Sequence, residues 1–238
     1  MKLDHQLVAR TVVLGAWGAF FAWLWLSEQG VRFVGPRTYW VIPFGAVLLL
    51  SATLGHLILL HRTTGTGQTL SAREIGAIVL TIAPMIVLLL VPRAQLGSLA
   101  ASRKISYQGP AAAGSFAQLE KPSGEIGLRE VSYANQYSNY GANWGISEGT
   151  EVELTGFVTH PDDISEGSFA LTRFYINCCA ADVVPYSVAV RTMGDSPDVA
   201  DDIWMEISGV LERDSNGRLV LVPDSSATIA VPDQPYLY

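Results

Sequence analysis

The chain's only two cysteines, Cys178 and Cys179, stand side by side in "FYINCCAADVVPY", with Asp182 three residues after the second. A thiolate and a carboxylate so spaced could share zinc or another thiophilic metal, but such an ion needs three or four N, S or O donors. Neighbouring side chains on a strand point to opposite faces, so both cysteines reach one ion only if the strand ends between them. A turn there would bring Cys179 toward Asp182, because Pro185 favours an extended residue before it. His160, in the loop after an earlier strand, is the third donor in this reading. The metal-site expectation is therefore Cys179, Asp182 and His160, and no other cofactor is expected. The competing reading is structural: one cysteine faces a barrel interior as a small apolar side chain, and Asp182 braces the turn. A disulfide between adjacent cysteines would close a small strained ring, and a redox pair would expect C-x-x-C, which is absent.

Elsewhere the chain has no nucleophile elbow, phosphate-binding glycine loop or His-based metalloprotease motif. The acidic pairs in "PDD" (161–163) and "DD" (201–202) read as turn caps, and no enzyme activity is expected. His56 is a candidate because an ionisable group at membrane depth is costly; the alternative is an interfacial histidine beside His61 and Arg62.

The elements that would hold these residues fall into two halves. Mean hydropathy is +0.28, high for a soluble protein. The excess lies in three runs: Thr11 to Leu26, Tyr39 to Leu60 and Ile75 to Val91. Each is long enough for a membrane helix if Arg10 snorkels to the interface of the first and neighbours compensate Pro84 in the third. The basic start resembles a signal peptide, but "SEQGVRF" follows in place of a cleavage site, so the helix is retained. Gly15, Gly18 and Ala22 give the first span a small-residue packing face. Gly65 and Gly67 mark a polar turn before the third.

Residues 1–93 carry seven Lys/Arg and three Asp/Glu, net +4, and residues 94–238 carry eight and nineteen, net −11. A bilayer is one expected partner, and the acidic half argues against nucleic acid. With the N-terminus inside, inner segments hold Lys2, Arg10, Arg62 and Arg73, the first outer loop holds Arg32 and Arg37, and the tail after the third span adds Arg93, Arg103 and Lys104 outside, so the charge bias is weak. The expectation is a multi-pass protein of the cell membrane with its C-terminal domain extracytoplasmic.

Residues 94–126 read as a Gly-, Ala- and Ser-rich linker, followed by a short helix over Leu128–Gln136. Five β-runs come next: 151–158, 168–178, 184–192, 202–213 and 219–231, with a hairpin at "DSNG" (214–217). Glycines inside the first and fourth runs suit strongly bent strands. The fold expected is a membrane α-helical half of three spans (1–93), a partly ordered segment (94–150) and an all-β OB-like five-stranded barrel (151–238). A small β-sandwich is the alternative.

The stretches "GFVTHPDD" (156–163), "RFYINCCAAD" (173–182), "DDIWMEISGVL" (201–211) and "PDQPYLY" (232–238) resemble a bacterial family of permease subunits. These are small three-span membrane proteins with a conserved C-terminal domain of unknown function. The resemblance singles out Arg173, Cys178, Cys179, Asp182 and Trp204, and implies a polytopic permease subunit as partner in a two-component membrane complex. Some relatives occur in a zinc-responsive context and carry a His-rich loop between spans two and three, which this chain lacks. The function implied is an accessory subunit whose β domain gates or presents a solute. The alternative is a stand-alone membrane-anchored protein that binds or senses a metal ion.

Overall fold

A run of twenty uncharged residues can satisfy its backbone polar groups inside a bilayer only by closing its hydrogen bonds on itself, as a helix. The computed structural model follows this rule in the first ninety residues. It describes residues 5–62, 70–90, 96–105, 124, 126–161, 164, 168–191 and 199–238. Contacts divide the chain into two units, Met1–Ala94 with Asn177–Ala180, and Gln95–Ile176 with Ala181–Tyr238. The turn at Gly65 and Gly67, the side chains of His61 and Arg62, Asp162, Asp163 and most of the linker lie outside the described residues.

In the first unit, α1 (His5–Leu26), a short 3-10 turn (Gln29–Arg32), α2 (Val41–Arg62) and α3 (Ala72–Leu90) follow in order. All three helices are long and apolar enough to cross a membrane. α1 and α2 pack closely because glycine removes the side chains between them. A Cβ on Gly18 would lie 2.9 Å from Leu50 Cδ2, one on Gly15 would lie 3.3 Å from Thr53 Cγ2, and Gly45 of α2 receives Phe21. Phe20, Leu24 and Ile42 are buried at this contact. At the start of α3, Glu74 and Ser71 form a reciprocal cap: Ser71 N donates to Glu74 Oε2 at 2.9 Å, and Glu74 N to Ser71 Oγ at 3.4 Å.

The second unit is built on β1 (Glu151–Thr159), β2 (Ser168–Tyr175), β3 (Val184–Arg191), β4 (Trp204–Arg213) and β5 (Leu219–Thr228). They close into a barrel in the order β1-β2-β3-β5-β4; β3 and β5 pair in parallel and the other neighbours are antiparallel. This is the OB-like architecture, and closure removes the sandwich alternative. Alternation sends Leu154, Leu171, Val188, Ile207 and Leu221 into the interior. β2 ends at Tyr175, three residues before the expected Cys178, and β5 at Thr228.

The segment between the halves is more structured than its composition implies. Among the described residues it carries α4 (Ser98–Ile105), the expected α5 (Leu128–Gln136) and α6 (Ser138–Trp144). α5 adds Leu128 and Val131 to the barrel core, and Tyr133 joins it through a hydroxyl contact of 2.8 Å with Tyr186.

Two mid-strand glycines let the barrel close. A Cβ on Gly156 would come within 2.8 Å of the Thr172 carbonyl, and one on Gly209, where the β4–β5 register shifts, would collide with that of Val222. The β4–β5 turn uses Gly217 at φ 78°, a left-handed position that suits glycine. There Asp214 Oδ1 accepts from Asn216 N and Arg218 N, both at 2.8 Å. Burial pushes the Asp214 carboxyl up, but these bonds and the Arg218 charge outweigh it and hold the group below the ordinary carboxylate range.

Gly209→Ala is expected to destabilise the protein by roughly 1–3 kcal/mol, as overpacking does. Gly55→Ala, where nothing lies within 4 Å of the added methyl, should leave thermal unfolding of the detergent-solubilised chain unchanged. Because the folded-state pKa of Asp214 is depressed, its contribution is complete above the unfolded value and disappears as pH falls through the lower folded one. Asp214→Asn should therefore lower the melting temperature at neutral pH and remove part of the loss seen on acidification below about pH 4.

Candidate functional site

On β1, β2 and β4 the residues that alternate away from the barrel interior include large aromatics. Phe157 and Trp204 are register partners, and their ring centroids lie 5.7 Å apart; Phe174 stands 5.7 Å from Phe157 on the other side. With Ile176, Val183, Ala101 and Tyr236 they form a second buried cluster outside the barrel core. Beside it a hydroxyl ladder crosses three strands. Thr159 Oγ1 lies 2.7 Å from Thr172 Oγ1, which lies 2.8 Å from Ser187 Oγ, so the two buried threonines are satisfied.

Two pieces of chain cover this patch. The first is α4, which places Ala101 at zero exposure against the aromatics. Asp202 holds the start of α4: Oδ1 accepts from Ser98 N at 2.5 Å and Oδ2 from Ser98 Oγ at 3.1 Å. Asp202 itself sits at φ 67°, left-handed, with its N–H donated to the Val158 carbonyl at 3.0 Å. Gly97 permits the approach, since a Cβ there would lie 2.6 Å from Asp202 Oδ1.

The second is the C-terminal tail. Leu237 N donates to Phe174 O at 2.8 Å and Ile176 N to Leu237 O at 3.1 Å, a parallel bridge beside the end of β2. Arg173 fastens it, with Nε donating to Pro235 O at 3.2 Å and Nη2 to Gln234 O at 2.5 Å. Its guanidinium carbon lies 5.8 Å from the Trp204 ring centroid. Burial pulls the Arg173 pKa below its ordinary value, against the raising influence of Tyr238, yet an arginine stays protonated. Arg129, ion-paired with Glu130 at 2.9 Å, donates to the Tyr238 main-chain oxygen at 3.2 Å.

Of the residues expected from sequence, the structure thus brings Arg173 and Trp204 together. The cysteines are elsewhere. Asn177–Ala180 group with the first unit. There Cys179 bridges Val34, Cys178 O accepts from Gly35 N at 3.0 Å and Thr38 Oγ1 at 2.5 Å, and Ala180 N donates to Phe33 O at 2.9 Å. Cys178 is exposed and Cys179 half-buried, with no disulfide between them. Neither belongs to the barrel core, so the small-hydrophobe reading is corrected: β2 stops before reaching them. Asp182 is exposed, and His160 Nδ1 lies 2.8 Å from Asp201 Oδ1. Among the described residues no three His, Cys, Asp or Glu side chains meet to hold a metal ion, and Cys179, Asp182 and His160 form no such group. Sequence reasoning passes over Gly97 and Ala101, reads Asp202 as a turn cap rather than the cap of a distant helix, and has Tyr236 only as part of the tail stretch; "GS" opening an alanine-rich stretch is the local signal for α4.

These features define a class: a chain with three helices able to span a membrane and an OB-like barrel whose aromatic outer patch is clasped by its own helix and tail. The chain belongs to the DUF1980 family; the DUF1980 C-terminal domain matches residues 108–238. No curated protein matches it. Among solved structures, the chain is similar to one in yeast RPA bound to ssDNA, at 12% identity over 42% of this chain and 77% of that chain, with a TM-score of 0.28.

Arg173→Ala is expected to release the tail, and amide exchange at Leu237 and Ile176 should rise at least tenfold, since each charge-assisted bond lost is worth about 1.5–3 kcal/mol. Asp202→Ala should cost about 1 kcal/mol through the lost cap of α4, read as a lower melting temperature with the β-sheet circular dichroism retained.

Proposed function

We propose that this protein is the accessory subunit of a two-component membrane permease complex, in which the helices dock on a polytopic partner and the extracytoplasmic barrel domain gates or presents the solute. The observation that carries this reading is the state of α3. None of its nineteen residues is buried within the chain, and Val79, Leu80, Val87 and Leu90 are among those left open. Helices associate in a bilayer through close packing rather than through burial from water, and α3 lacks the glycine-mediated contact that joins α1 to α2, so its open face is available to a partner helix. The resemblance to the permease-subunit family, carried by the four motif stretches, supports the same reading. The protein works by binding and coupling, not by catalysis.

The test is purification of the tagged full chain from its native membrane in mild detergent. A polytopic membrane protein should accompany it in fixed stoichiometry, and replacing Val79, Leu80 and Val87 together by alanine should release that partner while the chain still inserts. Recovery of the chain alone, or an association unchanged by the α3 substitutions, would sink the proposal. A reporter fused after Tyr238 should be active only outside the cytoplasm.

A further inference from the structure

α1, α2 and α3 leave a cavity of about 410 Å³ between them, within the ~300–1,000 Å³ range of small-molecule sites. Its polar lining is Gln6 and Arg10 of α1, His56 of α2 and Glu74 and Thr81 of α3, while much of the remainder is apolar, such as Val13 and Ile78. Thr81 Oγ1 donates to Ala77 O at 2.8 Å, and the ionisable groups share one end of the bundle. At 1.5 Å per residue, Arg10 lies about 8 Å from the start of α1, Glu74 about 3 Å from the start of α3 and His56 about 9 Å from the end of α2. For helices matched to a hydrocarbon core of about 30 Å, these positions lie toward one edge of the apolar layer rather than at its centre.

The charges are positioned. Glu74 Oε2 accepts from Ser71 N at 2.9 Å and Ser71 Oγ at 2.8 Å, and both Arg10 and Gln6 act on the same carboxylate. His56 Nδ1 lies 3.5 Å from Thr11 Oγ1, which donates to Leu7 O at 2.7 Å. A guanidinium matches the geometry of a phosphate, and a carboxylate accepts hydrogen bonds from a primary ammonium. A site offering one of each, with an apolar wall beneath, complements an amphiphile whose head is a zwitterion. A purely anionic head would face Glu74, and a quaternary ammonium cannot donate to it.

We propose that this cavity binds the phosphoethanolamine headgroup of a membrane phospholipid, its phosphate on Arg10, its ammonium on Glu74 and its first acyl carbons against Val13 and Ile78. The site is separate from the partner-facing reading of α3, and its test does not depend on finding a permease.

The full chain in mild detergent is titrated with phosphatidylethanolamine, phosphatidylcholine and phosphatidylglycerol of matched acyl chains, with retained lipid read by native mass spectrometry. Phosphatidylethanolamine should be retained in preference to the other two. Arg10→Gln should weaken its binding about fivefold, the effect of one basic group near a membrane surface. Glu74→Gln should erase the preference over phosphatidylglycerol without lowering phosphatidylglycerol binding, a selective change that misfolding would not produce. Equal retention of the three lipids, an unaltered ranking in both variants, or displacement of the lipid by equimolar water-soluble phosphoethanolamine would each overturn the proposal.

Discussion

The barrel unit depends on one constraint, the aromatic patch that Phe157, Phe174 and Trp204 raise on the outside of the barrel. A closed barrel already has a filled interior, so apolar rings on its outer surface must find a second cover or stand in water. α4 and the tail supply that cover, and each is too short to hold its place by itself: an eight-residue helix is marginal in isolation. Both are therefore tied by polar groups from the strands and the loops beside them. Asp202 takes the first N–H of α4, and Arg173 takes two carbonyls of the tail. The aromatic cover supplies the burial, and the polar ties supply the register.

This arrangement changes what the barrel offers a ligand. In OB-folds the outer face around the second and third strands is the usual binding surface. Here part of that surface is occupied by the chain's own α4 and tail, and the hydroxyl ladder of Thr159, Thr172 and Ser187 beside it is internally satisfied. Any ligand for this patch would have to displace both covers, breaking the Arg173 and Asp202 bonds. That ties access at this face to the integrity of the last seven residues.

Much of the architecture was readable from sequence because its signals are periodic. The three spans follow from uncharged length, the five strands from alternation, and the glycines at 156 and 209 from the need for bent strands to pass close to a neighbour's carbonyl. Gly15 and Gly18 likewise lie at the α1–α2 contact. What escaped is non-local. Asp202 and Ser98 are 104 residues apart, and Arg173 and Gln234 are 61 apart, so no local pattern announces either bond. α4 reads as linker in sequence because eight residues span barely two helical turns, too few to establish a period within an Ala/Ser-rich surround. The cysteines misled for the opposite reason: two thiols side by side are conspicuous, but strand β2 stops at Tyr175 and their backbone pairs with Phe33 to Thr38.

The residues that carry the family resemblance can now be weighed by what they touch. Phe157, Arg173, Phe174, Asp202, Trp204 and Tyr236 come from all four quoted stretches, and each forms the aromatic cluster or ties down one of its covers. His160 and Asp201 pair with one another at 2.8 Å, between the first and third stretches. A signature spent this way identifies an architecture and does not specify a chemistry, in keeping with the rule that folds host functions without dictating them. A different polar cluster lies in the other unit. There Arg10, Glu74 and His56 line one pocket from three helices, near the edge of the apolar layer, where ionisable groups need a counterpart. The barrel's motif stretches and the polar groups among the helices therefore solve different problems: the first cover apolar surface, and the second hold charge where a bilayer solvates it poorly.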